Sequence, residues 1–101
     1  MMTSSEVSSG VDLTSLRPGA LVDVETTSRH YRIECLGGVE IRISGHPEHC
    51  PAPVLAQVQG SIDDEGSLDV GQIEPGRRLM FFLNHTPVLT STIVGVHVDR
   101  F

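Results

Sequence analysis

His30-Tyr31-Arg32-Ile33-Glu34-Cys35-Leu36-Gly37-Gly38-Val39-Glu40-Ile41-Arg42-Ile43-Ser44 holds two runs that alternate apolar and polar residues about a glycine pair. A period of two sends successive side chains to opposite faces of a strand. Tyr31, Ile33 and Cys35 therefore share one face, with Arg32 and Glu34 on the other. Val39, Ile41 and Ile43 alternate with Glu40 and Arg42 in the same way. The stretch reads as an antiparallel hairpin with one apolar face. Parity then limits its register. A two-residue Gly37-Gly38 turn would set Ile33 opposite Arg42, which a half-buried sheet rejects. A three-residue loop, Leu36 to Gly38, pairs Cys35 with Val39, Ile33 with Ile41 and Tyr31 with Ile43. It places Gly38 in the left-handed conformation. On the outer face Arg32 then lies beside Arg42, and Glu34 beside Glu40. The diagonals Arg32–Glu40 and Glu34–Arg42 relieve that repulsion.

Further strands follow the same period on both sides of the hairpin. They are expected at about 20–26, 54–60, 78–83 and 88–98, with the hairpin arms at 29–36 and 39–44. In the last strand Val88, Thr90, Thr92, Val94, Val96 and Val98 fall on one face. Turn residues separate the runs: His46-Pro47, Asp63 to Gly66, Pro75-Gly76 and Asn84 to Pro87. No ten-residue stretch carries a helical period. Short strands at this spacing give an all-β fold, a small barrel of five to seven strands, SH3-like or similar. Ile33, Ile41, Ile43, Leu79, Phe81, Val94 and Val96 are its expected core. Residues 1–15 are polar and rich in Ser and Thr, the composition of a flexible tail, with Val11, Leu13 and Leu16 available to dock at its end. Residues 16–101 form a single domain, since 101 residues suffice for one and not two.

Composition removes several classes of function. The formal charge is −6, from 13 acidic and 7 basic residues. All the basic residues are Arg. An acidic chain repels phosphate backbones, and with no Trp, one Tyr and three Phe there is little to stack on bases. Nucleic acid is not an expected partner. A basic amphipathic helix for anionic membranes is missing, and no apolar run approaches the roughly 18 residues of a membrane-spanning helix. The first fifteen residues lack the basic and apolar regions of a signal peptide, so a cytoplasmic location is expected. Cys35 and Cys50 do not make a disulfide framework. In the hairpin register they lie at opposite ends, about 13 Å apart along a strand at roughly 3.3 Å per residue.

The densest polar cluster is Ser44-Gly45-His46-Pro47-Glu48-His49-Cys50-Pro51. It carries two imidazoles, a carboxylate and a thiol, all able to ligate a metal. His30 lies at the same end of the hairpin, so His30, His46, His49 and Cys50 form the candidate metal or ligand site. Zinc or another transition metal would suit these donors. Their spacing fits no paired C-x₂-C signature, however, and the simpler reading is a rigid connector needing no cofactor. Cys50 has a histidine nearby but no orienting group or oxyanion donors for a nucleophilic role. Arg32 and Arg42 are candidate anion contacts, against the ordinary alternative of ion pairs on a solvated face. Asp63-Asp64-Glu65-Gly66 lacks the alternating ligands and distal Glu of a calcium loop. There is no P-loop, G-x-G-x-x-G, G-x-S-x-G or H-E-x-x-H.

Three segments together, Val24-Glu25-Thr26-Thr27-Ser28-Arg29-His30-Tyr31, Ile43 to Pro51 and Gly71-Gln72-Ile73-Glu74-Pro75-Gly76, resemble a family of short bacterial β proteins without characterised activity. Leu89-Thr90-Ser91-Thr92-Ile93 fits the closing strand of the same pattern. The resemblance spans roughly 20–98. It implies a small barrel and a bacterial origin, and it brings no activity. By elimination the expected function is non-enzymatic: a protein-interaction or assembly module, with self or another protein as partner. The alternative is a small metal- or ligand-binding protein using the His46–Cys50 loop.

Overall fold

The computed structural model of the chain describes residues 10–99. The central hairpin is built from β3 (His30–Gly37) and β4 (Glu40–Ser44). Around it lie β1 (Val11–Asp12), β2 (Leu21–Thr26), β5 (Val54–Ile62), β6 (Leu68–Val70), β7 (Gln72–Ile73), β8 (Arg78–Leu83) and β9 (Thr86–Asp99). The main sheet runs β4-β3-β2-β9-β8-β5-β6, and β4 also pairs with β5. That second pairing closes the sheet into a small all-β barrel. The first half of β5 meets β4, and its second half meets β6 on the same edge. Ile33, Ile41, Ile43, Leu79, Phe81 and Val96 are all buried inside, as their period requires. Tyr31 meets Phe81 edge to face across the core, with ring centroids 6.2 Å apart.

The hairpin keeps its expected parity but not its expected register. Ile33 pairs with Ile43 and Cys35 with Ile41, a shift of two residues from the expected partners. The turn is Gly38-Val39, closed by Gly37 opposite Glu40, and a bulge follows between Cys35 and Gly37. Gly38 has φ +59°, the positive value expected of it. The observed register sets Glu34 directly opposite Arg42, where the expected one opposed like charges.

Val94 corrects the expected core: it is 53% exposed. The inward face of β9 runs Val88, Thr90, Ile93, Val96, stepping three residues twice. Register shifts in both neighbours explain the steps, one against β8 between Arg78 and Met80, one against β2 between Glu25 and Thr26. Each bulge advances the strand by one residue and turns its faces over. The backbone groups freed at the first bulge are recaptured. Leu79 N–H donates to Thr90 Oγ1 at 3.0 Å, and Thr90 Oγ1 donates to Ser91 C=O at 2.7 Å.

Of the expected tail, residues 1–15, the structure describes residues 10–15. Residues 1–9 lie outside the described residues. Val11 and Asp12 pair with Ile73 and Gln72, and Leu13–Ser15 form one 3-10 turn capped by Asp12. Leu13 is 1% exposed and belongs to the core. Its burial overrides the polar composition around it.

Candidate functional site

The His46–Cys50 segment is a closed turn. Gly45 N–H donates to Cys50 C=O at 2.9 Å, and Cys50 N–H to His46 C=O at 3.0 Å. Gly45, at φ +128°, has no room for a side chain, since a Cβ there would collide with the backbone oxygen of His30. This close approach brings the turn to the end of β3. Inside the turn, His46 Nδ1 accepts from Glu48 N–H at 3.1 Å and His49 N–H at 3.2 Å. The ring therefore acts as a cap on its own loop, and its remaining nitrogen, Nε2, carries the proton of the neutral form. Burial holds the His46 pKa below the usual histidine range, and the Arg29 and His49 charges add to that against an opposing pull from Glu48.

The four candidate metal ligands part company. His46 and His49 stack at a tilt, ring centroids 4.4 Å apart. Cys50 is fully buried and points to the core cluster, while His30 is exposed with Nε2 3.5 Å from Asp23 Oδ1. Among the described residues no three His, Cys, Asp or Glu side chains are grouped to hold a metal ion. Burial pushes the Cys50 thiol up, offset only in part by a backbone hydrogen bond at His46. It stays in the thiol form, which is the poor nucleophile. Cys35, also buried and unbridged, is raised by burial and then by Glu34.

The two candidate anion contacts are engaged. Arg32 bridges to Asp23 at 3.0 Å and Arg42 to Glu34 at 3.0 Å. Both pairs lie across neighbouring strands on the outer face, and both arginine side chains stay about half exposed.

A recess missed by the sequence reading lies beside the turn. Its volume is about 180 Å³, and Ser28, Arg29, Tyr31, His46, Leu89, Thr90 and Ser91 line it. The tight β2–β3 turn forms one wall. Thr26 Oγ1 donates to Arg29 C=O at 3.0 Å and accepts from Arg29 N–H at 3.0 Å. Ser28 N–H donates to Ser91 Oγ at 3.2 Å, and Thr27 N–H to Thr92 C=O at 2.9 Å. The turn is thus tied both to its own strand and to β9. Tyr31 is raised above the usual phenol range by burial and by Cys50, with Arg29 opposing. Only Ser28-Arg29 next to a buried tyrosine hinted at this in the sequence; the β9 wall depends on the bulges.

Comparison with protein-family models, with curated proteins and with solved structures returns no match to this chain. No helix among the described residues is long and apolar enough to cross a membrane.

Proposed function

We propose that this chain is a non-enzymatic interaction module of the cytoplasm, a small SH3-like barrel whose partner is an extended polypeptide segment. The observation that carries this reading is β6. Among the described residues it pairs with β5 alone, so its second edge offers unpaired backbone groups. Leu68 and Val70, 40% and 69% exposed, stand on that edge strand. An extended segment adding to it would gain main-chain hydrogen bonds and two apolar contacts. The partner's charge follows from the neighbouring turn, where Asp64 and Glu65 are exposed beside β6. A segment alternating apolar and basic residues matches that surface.

The test is selection from a displayed library of random linear peptides. Selected peptides should alternate apolar residues with Lys or Arg. They should shift the amide resonances of Leu68 to Val70 and lose binding to Val70→Lys, whose native spectrum elsewhere confirms folding. No enrichment, or a footprint away from β6, overturns the reading.

A further inference from the structure

The recess between the β2–β3 turn, the His46 turn and β9 collects hydrogen-bond donors and no acid. Its lining contains no Asp or Glu, in a chain of formal charge −6. Arg29 is the cation there. Arg32, Arg42 and Arg77 each lie within 4.0 Å of a carboxylate, Arg78 Nε donates to Thr90 C=O, and the exposed Arg17 lies outside the recess. Among the described residues no carboxylate lies within 4.0 Å of Arg29. The other donors are set by local bonding. His46 uses Nδ1 as an acceptor for two backbone amides, which leaves Nε2–H as the free donor of a ring that lines the recess. Ser91 Oγ accepts from Ser28 N–H, so its own O–H is available to donate. The wall carrying Arg29 and Ser28 is fixed by Thr26 before any ligand arrives.

We propose that this recess binds an oxyanion head group, the carboxylate or phosphate of a small ligand, with the Arg29 guanidinium as its charge partner and His46 Nε2–H and the Ser91 hydroxyl as its neutral donors. Guanidinium and hydroxyl groups around a site without acids satisfy the lone pairs of such a group. The volume, about 180 Å³, falls below the several hundred Å³ of sites that enclose whole drug-sized ligands. It fits one acid group and a short stem. Leu89, 43% exposed at the rim, is the apolar wall for that stem. The recess and the β6 edge belong to different elements, and each proposal stands without the other.

The experiment is a pair of titrations of the ¹⁵N-labelled protein at neutral pH, with sodium acetate and with sodium phosphate, and sodium chloride at matched ionic strength as control. Saturable shifts of the Ser28, Arg29 and Ser91 amides are expected with at least one of the two oxyanions, and the one that saturates identifies the head group. Arg29→Gln should weaken that binding by about tenfold or more, the loss of one charge-assisted contact. Arg17→Gln, an exposed arginine outside the recess, should leave it unchanged. Shifts that chloride reproduces, or binding that survives Arg29→Gln in a natively folded variant, overturn the proposal.

Discussion

At the scale of single residues, Gly60 is the glycine of the described residues with the least room for a side chain. A Cβ there would collide with the backbone oxygen of Asp69, and its φ of +142° is one that other residues rarely adopt. The obstacle is backbone on the neighbouring strand, so no side chain can move aside. Gly60→Ala should cost about 3 kcal/mol or more, from overpacking and dihedral strain together. Thermal unfolding measures it, and an unchanged melting temperature would mean that β6 does not lie against β5 here. His46 supplies a pH dependence of known sign. Its folded pKa is lowered, by burial first and by Arg29 next. The group therefore contributes stability above its ordinary value near 6.5, which is lost as pH falls through the lower folded value. Protonating Nδ1 also removes the acceptor for two amides. The Glu48 and His49 amide resonances should move in step with the His46 ring titration on acidification. Amides that stay still while the ring titrates would contradict the cap. The sequence displayed this residue as a candidate metal ligand, because a histidine's local backbone partners are invisible until the turn is formed.

Leu13 carries the argument at the scale of elements. Composition assigns residues 1–15 to a polar tail with Val11, Leu13 and Leu16 available to dock, and the Leu13–Ser15 turn brings one of them, Leu13, fully into the core. Leu13→Ala should destabilise by about 2–4 kcal/mol, read by denaturant unfolding with an unchanged slope. A near-neutral result would mean that the segment does not pack on the barrel. The strands themselves were legible: alternation located β2, β3, β4, β5, β8 and β9 to within a residue or two. β6 and β7 were not, since three- and two-residue strands around Gly71 are too short to show a period. Nor were the bulges. A bulge changes phase by one residue at no fixed sequence cost, so Val94 kept its place in the alternation while leaving the core. The recess depends on those same bulges, because they decide where Leu89 and Ser91 point. The site was therefore less legible than the sheet that carries it.

The whole molecule is a ring closed by two unlike kinds of pairing. β3 and β4 meet through a two-residue turn, whereas Leu21 of β2 pairs with Asp99 of β9, at opposite ends of the described chain. The apolar alternation needed both arrangements to bury one inward face, but it named only the local partner. The core inside the ring is mainly aliphatic, with one tyrosine–phenylalanine contact. The strand that the ring leaves at the end of the seven-stranded order is β6, an element the alternation did not reveal.

The β2–β9 seam also sets the order of events in time. Joining distant segments requires most of the chain-closure entropy before any contact repays it, so the ring should fold on the slow, millisecond-to-second scale of small β barrels. The β3–β4 hairpin is the local candidate for the nucleus and the seam for the final step. Val96→Ala should then chiefly accelerate unfolding, while Ile43→Val should chiefly retard folding, in stopped-flow chevrons. A Val96→Ala variant that folds more slowly in proportion to its lost stability would reverse that order. If the order holds, bonds added across the seam, between β2 and β9, lengthen the lifetime of the native barrel without hastening its formation.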